Sequence, residues 1–305
     1  MSFRRFFLNN QNVLRPAWRF VLFLALYIVA GGVLDRVLTR IHFPNRAFFW
    51  PSFLLNYLVD FGFVAAIAWL MSWIGKEKFS SYGLPATREA AMLFGKGLIW
   101  GAVPSALILI PIYLAGGCEF RGLALHGKEL LFSAAGWGAA MLAMGFVEEF
   151  LFRGYALKTL SESVGFWPAA IFLSSIFGLV HLLFKPHEDW IDPISVALYG
   201  VFWCLTLRRT GSLWFAVGFH AASDYADMIL FAEPNSGNDG KPPVGHLLDV
   251  RFHGPDWLTG GPRGTEASLL VFVVLAGLFY FFNRAYPPKV AMQSDSDAAA
   301  ANSVQ

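Results

Sequence analysis

Eight times along its 305 residues the chain runs apolar for about the length that crosses a bilayer, and this repetition constrains its fold more than any other feature. A hydrocarbon core about 30 Å thick calls for roughly 20 consecutive apolar residues of helix. The runs cover residues 17–38, 50–74, 96–115, 130–152, 167–184, 191–207, 213–231 and 267–282, the sixth and eighth being shortest. Only 14% of residues are charged and 56% are apolar, whereas a soluble domain carries about 25% charged residues. The expected fold is therefore an all-α polytopic membrane helical bundle of about eight transmembrane helices, with the lipid bilayer as its first partner. A net charge of +2 without a basic stripe argues against nucleic acid. Cys118 and Cys204 are too few for a disulfide framework and read as small apolar fillers.

The first run is too long for a signal-peptide core and reads as a retained anchor. Arg15, Arg19, Lys76, Lys78, Arg153, Lys158, Arg208, Arg209 and Arg284 fall on one side when helices alternate. The bias of Lys and Arg toward cytoplasmic loops then puts both termini in the cytoplasm. The chain divides into residues 1–130, with a short cytoplasmic segment and about three helices; 131–232, a core with three polar motifs; a Gly/Pro-rich connection, 233–266, placed outside; a last helix, 267–288; and a tail, 289–305, expected to be disordered.

Ionisable groups inside apolar runs are costly, about 2.5–3.5 kcal/mol each even on lenient scales, so they need a reason. Three clusters carry them. Glu148 and Glu149, at the end of the fourth run, point about 100° apart on a helix, while Glu149 and Arg153 at i, i+4 share a face. Glu149 can thus pair with Arg153, leaving Glu148 to act as a base or metal ligand; the alternative is a solvated ion pair at a cytoplasmic helix end. His181 lies in the fifth run with Phe177 at i−4, able to pack on its ring. His220 and Asp224 stack one above the other in the seventh, with Asp227 a turn beyond. Glu148, His181 and His220 together make a two-His, one-carboxylate set of the kind that binds catalytic Zn²⁺. The same groups can also activate water as general bases, with His220 and Asp224 near an oxyanion. Spacing leaves both accounts open.

The ordered set Glu148-Glu149-x-x-x-Arg153, Phe177-x-x-x-His181 and His220-x-x-x-Asp224 resembles the CPBP intramembrane proteases, which include the type II CAAX prenyl endopeptidases and bacteriocin self-immunity relatives. The resemblance covers about a third of the chain, residues 132–231. It implies a membrane endopeptidase with a water-accessible cavity opening toward the cytoplasm, and a peptide or membrane-protein substrate that can be prenylated. Carried over by position, Glu148 and His181 activate the water, His220 and Asp224 line the oxyanion or metal site, and Glu149, Arg153 and Phe177 support them. The prenyl endopeptidases often have Asn where this chain has Asp224, which cannot donate a hydrogen bond when ionised; this favours a metal-binding or orienting role. Two other functions compete: a non-catalytic scaffold or immunity factor of the same fold, and a proton-relay transporter, which would normally show a second, repeat-related half.

Overall fold

The structure, a computed structural model, describes residues 6–44, 47–186 and 188–288. The tail expected to be disordered lies outside them. Helix α1 spans Pro16–Arg40, with Pro16 in the first turn where its missing N–H costs nothing. Helix α2 covers Trp50–Gly75 and α3 Arg88–Leu114, the latter capped by Thr87, whose hydroxyl accepts the Ala90 N–H. Helix α4, Gly127–Glu149, passes through a π turn at Phe150–Ala156 into α5, Leu157–Val164. Then follow α6, Phe166–Phe184; α7, Ile191–Thr210; α8, Trp214–Asp224, extended by a second π turn, Tyr225–Leu230; and α9, Leu270–Ala285.

The all-α membrane bundle is as expected, and six helical stretches are long and apolar enough to cross a bilayer. The other two runs fall short of that length as regular helix: α8 breaks into its π turn after 11 residues, and α9 has 16. The fourth run differs most. It does not stop near Arg153 but runs on, through a kink at Gly154, as a helical stretch of 38 residues, Gly127–Val164. A buried arginine inside the helix had the look of a boundary in sequence. The 233–266 connection is structured: it carries strand β2, Leu248–Phe252, which pairs antiparallel with β1, Cys118–Leu123. This small sheet, absent from the sequence reading, closes one end of the bundle. Ser133 and Trp137 of α4 donate to the carbonyls of Gly245 and Val244, and Leu247 N–H donates to Ile229 O, so the connection forms a cap over that end.

The opposite end carries the basic helix termini. There Arg19 bridges Glu77 and Glu162, and Lys158 bridges the same two carboxylates at 2.7 and 2.9 Å. Between the ends, α8 lies against α3 at backbone contact. A side chain at Gly97 or Gly101 would collide with the carbonyl oxygens of Phe215 and Phe219, so these two small positions, four apart, admit α8. Gly145 does the same on the α4 side, 3.0 Å from the Ala221 nitrogen once a Cβ is added. Helix α8 is held between them with His220 directed into the bundle.

Candidate active site

His220 is the hub. The residue is 4% exposed and its ring stacks on Trp203 of α7, with centroids 4.3 Å apart and planes 12° from parallel. Nδ1 faces Glu149 Oε1 at 2.9 Å; because a carboxylate only accepts, this nitrogen carries a proton. Nε2 lies 3.3 Å from Asp224 Oδ2 and 3.8 Å from Glu148 Oε2. Both ring nitrogens therefore face carboxylates, and the imidazolium form donates from each.

Glu149 does two jobs from full burial. Its Oε1 also accepts from Arg153 Nη1 at 3.2 Å, across the i, i+4 spacing of the helix. The Arg153 guanidinium sits 4.8 Å from the Phe177 ring and 5.2 Å from that of Trp203, where aromatic faces offset part of its lost hydration. Gly200 on α7 makes the space; a Cβ there would come within 2.5 Å of Arg153 Nη2. The i, i+4 spacing indicates the Glu149–Arg153 pair, but not the reach of Glu149 to His220 on another helix.

Glu148 points instead into an internal cavity of about 370 Å³, which His181, His220, Asp224 and Asp227 also line. Tyr57 of α2 donates its hydroxyl to Glu148 Oε1 at 3.1 Å. His181 directs Nδ1 to the carbonyl of Phe177, one turn back, at 2.8 Å, so Nδ1 is the donor and a neutral ring keeps a lone pair on Nε2. Phe177 packs edge-on to His181 at 4.7 Å and to His220 at 6.3 Å, thereby spacing the two rings. Tyr57 and Trp203 escaped the sequence reading; a tyrosine with its polar tip inside an apolar run is the one signal that marked Tyr57.

A zinc site built from Glu148, His181 and His220 needs donor atoms about 2.0–2.2 Å from one point. His220 Nε2 and Glu148 Oε2 stand near enough to share an ion, but the three side chains do not gather. Among the described residues, the trio that brings ligand atoms within 4.8 Å of one another is Glu188, Asp192 and Glu266. As arranged, Glu148, His181 and His220 do not bring their donor atoms together as a zinc ion needs.

The cavity extends from these groups to the capped end, where Glu233, Lys185, Arg263 and Glu266 line it. Glu148 sits mid-way along the Gly127–Val164 stretch rather than at its basic end.

No curated protein and no solved structure matches the chain. Residues 129–226, about a third of the chain and the stretch that holds the whole cluster from Glu148 to Asp224, match the family described as Type II CAAX prenyl endopeptidase Rce1-like, a match that supports the CPBP/CAAX protease family for this core.

Proposed function

We propose that this protein is an endopeptidase that cleaves peptide bonds at the membrane with a water activated by Glu148 and His181. The observation that carries this reading is the split between the two adjacent carboxylates: Glu149 is fully buried and doubly paired, while Glu148 faces the cavity with one oxygen held by Tyr57. Glu148 accepts a proton from water as the oxygen adds to the scissile carbonyl carbon, with Nε2 of His181 as a second acceptor. The carbonyl oxygen, gaining negative charge, takes a hydrogen bond from His220 Nε2–H. That ring is fixed by Glu149 and Trp203, so no reorganisation is needed at the moment of reaction. Asp224 holds the same Nε2–H until substrate arrives. When the carbon–nitrogen bond breaks, Glu148 returns its proton to the departing amine, leaving a carboxylate product and a new N-terminus.

Phe53, Phe177, Trp203 and Met228 line the same cavity and suit an apolar side chain or a prenyl group beside the scissile bond. A CAAX-type or related peptide, prenylated or not, is the substrate class this favours. The test compares new N-termini in membranes holding wild type or Glu148→Gln at matched expression. Peptides found with the wild type alone support proteolysis and give the position of the cut. Identical sets would sink the reading and favour a scaffold that acts by binding partners.

A further inference from the structure

Where the cap meets the bundle, four carboxylates crowd two cations. Glu188 and Asp189 lie between α6 and α7, Asp192 in the first turn of α7, and Glu266 in the cap. Arg263 pairs with Asp189 and stands 3.6 Å from Asp192, and Lys185 pairs with Glu266 at 3.3 Å. Among the described residues, that leaves negative charge unanswered. The Asp192 side chain is fully buried; Oδ2 accepts the Asp189 N–H at 3.0 Å, and Oδ1 has no hydrogen-bond partner among the described residues. Glu188 accepts the Ser236 hydroxyl on Oε1, and its buried Oε2 likewise has none among them. Orphaned carboxylate oxygens in a buried place are costly unless something positive meets them.

The arrangement suits a hard cation. Glu188, Asp192 and Glu266 each place an oxygen within 4.8 Å of the other two. Points no farther apart than that share a centre roughly 2.8 Å away or less, close to the 2.3–2.6 Å of calcium–oxygen bonds. The donors are all oxygen, without thiolate or imidazole, which selects calcium, magnesium or manganese. Calcium best tolerates an irregular set completed by water.

We propose that Glu188, Asp192 and Glu266 bind a divalent cation, calcium in the first instance, which ties the cap to the bundle beside the cavity that Glu266 also lines. The site is separate from the catalytic groups, and its test does not depend on whether the protein cleaves peptides. The full chain, purified in detergent and stripped with a chelator, is titrated with Ca²⁺ while binding heat and the thermal unfolding midpoint are followed. Saturable binding with a rise in the midpoint is expected. Asp192→Asn and Glu266→Gln should each weaken it about 10-fold or more, while Glu148→Gln keeps wild-type affinity. If Asp192→Asn does not fold, Glu188→Gln, on a partly exposed side chain, makes the same test. No Ca²⁺ response in folded wild type up to about 10 mM would overturn the site. So would a response that survives Glu188→Gln and Glu266→Gln together.

Discussion

At the basic end, two cations and two carboxylates close a ring: Arg19 and Lys158 each hold both Glu77 and Glu162. At the capped end and along the cavity, carboxylates outnumber their partners, and Asp192, Glu188, Asp227 and Glu233 each keep a buried oxygen without a hydrogen bond. The same residue types thus serve two purposes. In this ring every carboxylate meets two cations, and it holds α1 and α5 to the segment that follows α2. Incompletely paired acids retain the ability to take up a proton, a cation or a substrate group; here Asp227 and Glu233 line the cavity, while Glu188 and Asp192 sit beside Glu266, which lines it too. The ratio of partners to charges, rather than the number of charges, separates structure from chemistry here.

The comparison can be broken from its reactive side first. Glu148→Gln should lower cleavage about 10²–10⁴-fold, the usual loss for a general base, with the unfolding midpoint unchanged. Normal cleavage in this variant would place Glu148 among the structural acids. Arg153→Met leaves the fully buried Glu149 unpaired on one side and should cost about 3–5 kcal/mol in thermal unfolding. Adding Glu149→Gln should restore much of that stability but not cleavage, because His220 then loses its orienting carboxylate. Recovery of both would show that Glu149 serves the fold alone.

At the basic end the effect is smaller and its sign with pH is the informative part. Burial alone would raise the Glu77 carboxyl, but Lys158 and Arg19 outweigh it and hold it below its ordinary range. Its contribution is therefore complete above the unfolded value of about 4.3 and is lost as pH falls through the folded value. Glu77→Gln should cost about 1 kcal/mol at neutral pH and flatten the acid limb of a stability profile. Glu233 has the opposite sign. Burial, with Glu266 nearby and against two hydrogen bonds from Thr265, pushes it up to about 7, so its contribution is complete below about 4.3 and is lost as pH rises through about 7. Glu233→Gln should relieve that neutral-to-alkaline loss; melting curves of both variants from pH 4 to 9 make the check. Least affected should be Phe177→Leu, which keeps an apolar spacer between His181 and His220 and should change cleavage less than about 10-fold.

Much of the architecture was legible because a bilayer reads length and polarity, and both are local properties of a chain. Pairs fixed by helix periodicity were legible too: Glu149 with Arg153 at 3.2 Å and His220 with Asp224 at 3.3 Å follow from a spacing of four. Contacts made across helices were not. Nothing in the run around Glu149 indicates His220, 71 residues away, as its second partner. The stacking of Trp203 on that ring likewise depends on how α7 and α8 meet. The β1–β2 pair escaped because the Cys118–Leu123 stretch has no clean alternation of apolar and polar residues, its burial pattern being one inward residue followed by five exposed. Arg153 misled in another way, since a charge that marks the end of a span in most membrane helices is here enclosed by Phe177, Trp203 and the gap left by Gly200.

Both helices that carry the cavity carboxylates Glu148 and Asp224 loosen directly after them, α4 at Phe150 and α8 at Tyr225. A π turn is an α-helix with one residue inserted, and it shifts the angular phase of all that follows by about 100°. Helix α8 therefore keeps two phases. Up to Asp224 it presents His220 to Glu149; from Tyr225 on it presents Asp227 and Met228 to the cavity wall. Deleting a single residue from Tyr225–Leu230 would heal the ladder and rotate the wall away from the reactive groups, without touching any of them. The inserted residue thus works as a frame shift written into helix geometry, allowing one element to supply both the chemistry and part of the vessel around it.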